Sequence, residues 1–294
     1  MKIVITGASG FIGREVMAAL SRHDVDIIAL SRQEHRQEKG KRIIWKSTDY
    51  SVDSLKEVLM DAGAVIHLAA VRGTEGKLTD YSVNLELTEN LLIAAGECSI
   101  KRVVFASSIA VYSDISKMPW TEDMMLTPKT LYGITKAAGE HLCQYYARKY
   151  GFTYAISRIA QVLGTGEKRR VMTNVFMEQA FRKEQLHVIG KSTAKRQYIY
   201  SRDLAEIISR LALDDGRSVI VNVGMDEACT NLEIAEKVNR AFGSTVDIDY
   251  DDSRPETIEP SIMSLRSFHE LSDYQVMTMD EALDDIASHY QKNN

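Results

Sequence analysis

The chain has little of what would mark it as extracellular, membrane-bound or unfolded. Its three cysteines, Cys98, Cys143 and Cys229, are odd in number, widely spaced and form no C-x-x-C pair, which excludes a disulfide framework and a zinc site of the usual spacing. A reducing compartment fits them, and a cytoplasmic location is the expectation. Four prolines and 17 glycines in 294 residues are too few for a linker or low-complexity chain. No stretch approaches the ~18 apolar residues of a membrane helix. The first apolar run, Ile3-Val4-Ile5, meets Thr6-Gly7 at once, so no signal segment is expected and the fold is expected to start with the first residues. A surplus of one charge is missing too: 36 basic against 41 acidic side chains give a net charge of -5, with no footprint for nucleic acid or an anionic membrane surface. A small-molecule partner is what remains.

What is present is an alternation. Short β-branched runs (Ile3 to Ile5, Asp26 to Leu30, Arg42 to Trp45, Ala64 to Leu68, Arg102 to Ala106, Thr153 to Ser157) are separated by helical patterns over Phe11 to Ser21, Val52 to Met60, Tyr81 to Ala95 and Tyr132 to Tyr150. Strands that are apolar throughout and joined by helices predict an α/β fold with a doubly wound parallel sheet covered on both faces. Beyond Arg158 the regularity weakens. Helices over about Asn174 to Arg182, Leu232 to Phe242 and Met279 to Tyr290, with short strands at Leu186 to Ile189, Ser218 to Val223 and Thr245 to Tyr250, predict a smaller α/β lobe interleaved with the end of the sheet domain.

Gly7-Ala8-Ser9-Gly10-Phe11-Ile12-Gly13 follows the first strand and opens the first helix. Glycines at this spacing allow a tight turn, close approach of backbone to a pyrophosphate, and close packing of helix on strand. Free N–H groups at the helix start, those of Phe11 and Ile12 among them, supply the anion site. Tyr132 and Lys136 stand four apart on a predicted helix and project from one face. A phenol titrates near ~10, and a fixed ammonium beside it favours phenolate, which makes the pair a candidate proton shuttle. Ser107-Ser108 closes an independent strand, where a hydroxyl can meet both the phenol and a substrate oxygen.

Together these motifs resemble the extended short-chain dehydrogenase/reductase family, the NAD(P)-dependent nucleotide-sugar epimerases, dehydratases and reductases, over nearly the whole chain. The order of motifs is that of the family: the three glycines; Asp49-Tyr50 after the third strand; His67-Leu68-Ala69-Ala70 after the fourth, followed by Arg72; Asn84 on the next helix; Ser107 to Tyr112; Tyr132 to Lys136. The resemblance implies a Rossmann domain over 1–162 plus about 197–227 and a substrate-binding lobe over about 163–196 plus 228–294. It also implies that Ser108 is the catalytic hydroxyl, Tyr132 the acid/base and Lys136 the group that holds the nicotinamide ribose. Asp49, Tyr50, Leu68, Ala69, Ala70 and Asn84 are implied to line the cofactor, and Arg72 and Ser108 the substrate. In the lobe, Arg158 to Gly164 resembles the family's R-x-x-N-v-y-G with Gln161 in place of Asn, and Arg196-Gln197-Tyr198-Ile199-Tyr200 and Arg254-Pro255 resemble segments whose arginines meet a substrate diphosphate. Guanidinium forks suit phosphate oxygens. His67 is read as structural or cofactor-adjacent, and no metal site is expected.

The implied reaction is epimerisation of a nucleotide sugar, with UDP-hexose 4-epimerisation first and NADPH-dependent reduction of a 4-keto-deoxysugar nucleotide as the alternative. Dehydration is disfavoured because Ile109 and Ala110 follow Ser108, where the family's dehydratases carry an Asp-Glu pair. An alternative of another class is a non-catalytic NAD(P)-sensing protein. Leu30 is followed by Ser31-Arg32 rather than by an acid; a hydroxyl and a guanidinium there suit a 2′-phosphate, so NADP is favoured slightly over NAD. The family's habit of pairing the helices over Tyr81 to Ala95 and Tyr132 to Tyr150 makes a homodimer an expectation.

Overall fold

The computed structural model describes residues 1–32, 42–73, 75–214 and 216–293. In chain order the elements are β1 (Lys2–Thr6), α1 (Phe11–Leu20), β2 (Asp26–Ser31), β3 (Ile43–Ser47), α2 (Val52–Leu59), β4 (Ala64–His67), α3 (Leu78–Tyr81), α4 (Val83–Glu97), β5 (Arg102–Ala106), α5 (Leu131–Tyr150), β6 (Thr153–Ile159) and β7 (Gln161–Leu163). They continue as α6 (Met172–Phe181), β8 (His187–Ile189), β9 (Arg196–Tyr200), α7 (Ser201–Leu213), β10 (Val219–Val223), β11 (Ala228–Cys229), α8 (Asn231–Ala241), β12 (Asp249–Asp251), α9 (Arg266–Leu271) and α10 (Met279–Asn293).

The chain divides into two compact units. The first comprises Met1–Ser113, Glu122–Ile159 and Leu204–Asn222, and the second Asp114–Thr121, Ala160–Asp203 and Val223–Asn294. The seven-stranded sheet runs in the order β10-β6-β5-β4-β1-β2-β3. Its β1/β2, β1/β4, β2/β3, β4/β5 and β5/β6 pairs are parallel. The chain starts in the middle and winds outward both ways, the doubly wound order, so loops at the carboxyl ends of β1 and β4 meet where the order reverses: Thr6 lies opposite His67. One core of this unit packs Val4, Leu30, Leu55, Leu59, Val65 and Val103 against Leu91, Leu92 and Phe105, each large apolar side chain contributing about 1.5–3 kcal/mol by burial.

Caps explain where the helices begin and end. Ser51 accepts from Ser54 N to start α2, Thr130 accepts from Gly133 N at 3.0 Å to start α5, and Gly151, in the left-handed region at φ +83°, ends α5. Tyr81 to Ala95, read from sequence as one helix, is two, α3 and α4, that meet at Ser82. On this pair and α5, Leu78, Val83, Ile134 and Tyr145 are exposed.

In the second unit β9 is the middle of a three-stranded sheet, antiparallel to β11 and parallel to β7, and β8 pairs with β12 in parallel. Its core gathers Phe176, Met177, Val188, Tyr200, Ile234, Val238, Leu283 and Ile286. Residues 114–121, which the sequence reading keeps with the sheet domain, group with this unit: Trp120 N donates to Ile262 O at 2.9 Å and Ser264 N to Trp120 O at 2.8 Å. Asp203 holds the segment before α10, accepting from Tyr274 Oη at 2.7 Å and Met277 N at 3.0 Å. Among the described residues no helix is long and apolar enough to cross a membrane.

Candidate active site

The turn between β1 and α1 is built for backbone to come close. Gly7 sits at φ +69°, and a Cβ there would lie 2.8 Å from Ala69 N; a Cβ on Gly13 would lie 2.3 Å from Gly7 O. Gly10 N closes the turn on Gly7 O at 2.9 Å. Gly10 is also the N-cap of α1 and brings no side chain to the helix start. The N–H groups of Phe11, Ile12 and Gly13 therefore head the helix with its positive dipole end behind them, an arrangement that takes a diphosphate.

The opposite wall is the loop after β4. Thr6 Oγ1 accepts from Leu68 N and Ala69 N, both at 3.2 Å, and meets His67 Nδ1 at 2.8 Å. His67 Nε2 meets Thr88 Oγ1 at 3.0 Å, and that hydroxyl donates to Asn84 O at 2.6 Å. Since Thr88 gives its only proton to Asn84, the imidazole carries its hydrogen on Nε2, and Thr6 donates to the bare Nδ1. His67 is thus a neutral strut that sets the position of Leu68, Ala69 and Ala70. Burial, and secondarily the charge on Lys136, pull its pKa down to about 3. An unfolded histidine titrates near ~6.5, so between that pH and about 3 the unfolded chain binds a proton that the folded chain does not. The stability present above that window falls as pH falls through it, by on the order of 2 kcal/mol at about pH 5. Urea midpoints of wild type and His67→Gln measured from pH 7 to 4 should converge as the acid side is approached; parallel curves would refute the strut.

Ser31, at the end of β2, is buried, and Arg32 after it is exposed. Asp49 is exposed and accepts from Ser51 N at 2.9 Å, which lowers its carboxyl pKa. Tyr50, placed with the cofactor residues by the sequence, is buried: burial pushes its phenol pKa up, and the nearby Gly7 backbone N–H partly offsets this. Asn84 is buried as well. Its Oδ1 accepts from Val71 N at 2.7 Å, and its Nδ2 donates to Val71 O at 2.9 Å and Thr135 Oγ1 at 3.2 Å. The amide thereby fixes the residue before Arg72, which is exposed.

Ser108 follows β5. Its Oγ accepts from Ala110 N at 3.2 Å and caps a short 3₁₀ turn over Ile109–Val111. The first turn of α5 lies directly on it, because Gly133 has no Cβ: one would stand 2.2 Å from Ala110 O. Tyr132 precedes that glycine. Lys136, one turn on, is 4 % exposed, and its Nζ lies 5.9 Å from the Tyr132 ring centre and donates to Ala106 O at 2.6 Å. Burial, then the charge of Arg72, lowers its pKa to about 8. A hydroxyl, a phenol and a buried ammonium thus share one strand end and one helix face, the set needed to move a proton to and from a carbinol oxygen.

The sequence reading missed what lies beneath this set. Glu140, another turn along α5, accepts from Ser107 Oγ and is gripped by Arg158, whose Nε lies 3.1 Å from each carboxylate oxygen and whose Nη2 lies 2.8 Å from Oε2. Its four-residue spacing from Lys136 was the available signal.

In the second unit Gln161 lies opposite Tyr198 in the β7/β9 register. Arg196 donates to Asn231 Oδ1 at 2.9 Å, and its guanidinium lies 5.7 Å from the Tyr198 ring centre. Its Nε, Tyr198 Oη and Ser261 Oγ are buried with no hydrogen-bond partner among the described residues, and burial pushes the Tyr198 phenol up to about 12. Arg254 is exposed in the segment after β12. Among the described residues no group of three or more His, Cys, Asp or Glu side chains could hold a metal ion.

The NAD dependent epimerase/dehydratase family model matches residues 3–224. The solved UDP-N-acetylglucosamine 4-epimerase from Bacillus cereus superposes with a TM-score of 0.90 at 32 % identity, over 99 % of this chain and 96 % of that one. A putative UDP-glucose 4-epimerase of Methanocaldococcus jannaschii is 25 % identical over 99 % of both chains. The dTDP-4-dehydro-6-deoxyglucose reductase of Escherichia coli is 22 % identical over 97 % of this chain and 96 % of its own.

Proposed function

Since the chain belongs to the NAD dependent epimerase/dehydratase family, we propose that it interconverts a UDP-hexose and its 4-epimer. The observation that carries this reading is the packing of the start of α5, with Tyr132 and Lys136, on the strand end before Ser108 and the turn after it, in the same unit as the uncapped glycine turn. The turn fits a dinucleotide because its three glycines, Gly7, Gly10 and Gly13, stand where a Cβ would meet backbone at 3.0 Å or less, which keeps the turn tight and the helix start bare. Gly7, Gly10, Phe11, Ile12 and Gly13 would hold the diphosphate, Lys136 the ribose next to the nicotinamide, and Leu68, Ala69, Ala70 and Asn84 the wall, with Asp49 and Tyr50 toward adenine. A nicotinamide held there would supply reversible hydride transfer with the sugar C4. Tyr132, as phenolate beside the Lys136 charge, takes the proton of the sugar 4-hydroxyl and gives it back, and Ser108 orients the oxygen. Arg72, Gln161, Arg196 and Arg254 are assigned to the substrate. The identity and coverage shared with a UDP-N-acetylglucosamine 4-epimerase support that sugar among the candidates.

A second reading rests on Ser31 and the exposed Arg32: a site that takes a 2′-phosphate suits NADP, and a reductase of a 4-keto-deoxysugar nucleotide consumes NADPH. One assay separates the two. Purified protein with UDP-glucose or UDP-N-acetylglucosamine should yield the 4-epimer with no net change in reduced-cofactor absorbance. Stoichiometric NAD(P)H loss with a 4-keto sugar, and no epimer from any UDP-hexose, reverses the order. In the same preparation NADP⁺ should bind at least as tightly as NAD⁺; clearly tighter NAD⁺ removes the role given to Arg32.

Arg196 is assigned to the substrate diphosphate because its buried Nε has no partner among the described residues. Arg196→Ala should weaken nucleoside diphosphate binding by about tenfold and leave cofactor binding unchanged, since a charge-assisted hydrogen bond contributes ~1.5–3 kcal/mol. Equal affinity in wild type and variant by calorimetry would remove that assignment. The free state of Cys98, Cys143 and Cys229 supports a reducing, cytoplasmic setting. Exposed Val83, Ile134 and Tyr145 on α4 and α5 support a homodimer, for which light scattering should return twice the chain mass.

A further inference from the structure

Beneath Ser108, Tyr132 and Lys136 lies a polar network that is buried except at its half-buried Glu122 end. Glu140 is 0 % and Arg158 3 % exposed. The Glu140 carboxylate receives Ser107 Oγ and the Arg158 fork. Arg158 Nη1 then donates to Tyr112 Oη at 2.6 Å and to Glu122 O at 2.9 Å. Tyr112 donates to Asn222 Oδ1 at 2.9 Å, and Asn222 N donates to Glu122 Oε1 at 2.8 Å, which closes the ring of contacts.

The placement of the grips matters more than their number. Ser107 is the residue immediately before Ser108, and Tyr112 is the residue after the 3₁₀ turn that Ser108 caps. Ala106, one step earlier, is held by Lys136. The segment that carries Ser108 is therefore tied on both sides, by Lys136 and Glu140 from α5 and by Arg158 from β6. Tyr132, Lys136 and Glu140 stand at successive four-residue steps of one helix, so the helix that offers the acid/base also clamps the strand end that offers the hydroxyl. A buried ion pair is a poor source of net stability, since desolvation offsets its attraction, but it fixes geometry strongly.

We propose that Glu140, held by Arg158, is a positioning residue for the reaction: through Ser107 it sets the register between Ser108 and the Tyr132 face of α5. The proposal rests on the reading of Ser108 and Tyr132 as the acid/base pair and holds equally for epimerisation or reduction. A purely structural Glu140 would affect melting without affecting the turnover of folded molecules. A positioning Glu140 affects kcat, because misplacement near 1 Å costs about 10²-fold.

The test uses two variants, so that a folding failure in one does not decide it. Ser107→Ala removes only the hydroxyl that Glu140 receives, and Glu140→Gln removes the charge. Both should lower kcat by about tenfold to a hundredfold with KM and cofactor affinity nearly unchanged, Ser107→Thr should restore most of it, and the double variant should be little worse than either single one. Hydrogen exchange, which needs no sugar, should speed up across residues 106–112 in both variants while β1 and β4 stay protected. Full kcat in Ser107→Ala, or unchanged exchange in that segment, overturns the proposal. A wild type that turns over no nucleotide sugar overturns the proposed function instead, and the exchange result then decides the clamp by itself.

Discussion

Replacing Tyr132 with phenylalanine is expected to reduce turnover by about 10²- to 10⁴-fold, the range for losing a positioned general acid–base group. The ring remains, so its packing beside Lys136, 5.9 Å from ring centre to Nζ, is preserved and α5 keeps its Thr130 cap. Only the proton carrier is removed. Cofactor binding should survive because it is assigned to the glycine turn and to Lys136. Steady-state kinetics on the identified sugar together with a cofactor titration read both halves of the statement. Activity above about a tenth of wild type would mean that another group carries the proton, by the same acid–base range.

Gly13→Ala is expected to weaken cofactor binding by about a hundredfold or more. The added Cβ would stand 2.3 Å from Gly7 O and 2.7 Å from Ala8 Cα. Both are backbone atoms, so no side chain can rotate away. Relief has to come from moving the turn off the helix, and that turn carries the N–H groups assigned to the diphosphate. Overpacking costs ~1–3 kcal/mol even where side chains adjust, and the upper end of that range is about a hundredfold in affinity. Titration of NAD⁺ or NADP⁺ by calorimetry checks it, with circular dichroism to show that the sheet persists. An alanine variant that binds within a few fold of wild type would show that the turn does not hold the cofactor.

The sheet was legible because its inner strands are buried on both faces and read as unbroken apolar runs; Ile3, Val4 and Ile5 are all fully buried, whereas the edge strand β3 is largely exposed. The second unit was less so. β7 and β11 have three and two residues, too short for any period to register. α7 went unread although Leu204, Ile207, Ile208 and Leu211 lie at helical spacing. Thr245 to Tyr250, read as a strand, pairs only from Asp249 on. Within the candidate site, local spacing gave the glycine turn and the Tyr132/Lys136 face. It could not give Glu140, whose partners Ser107 and Arg158 lie 33 residues before it and 18 after it, nor that Tyr50 is buried and Asn84 turns to Val71.

The three-part construction of the second unit bears on the order in which the chain folds. Trp120 is joined by backbone hydrogen bonds to Ile262 and Ser264, so its pairing waits for a closure of roughly 140 residues, the kind of non-local contact that slows folding. The strands of the seven-stranded sheet are all present by Val223, long before Ile262 leaves the ribosome. The Asp114–Thr121 excursion is then a loose end carried by an already folding sheet, and its docking is a late event. During refolding, Trp120 fluorescence should reach its native value after the sheet's far-ultraviolet signal does, and Trp45→Phe isolates that single reporter.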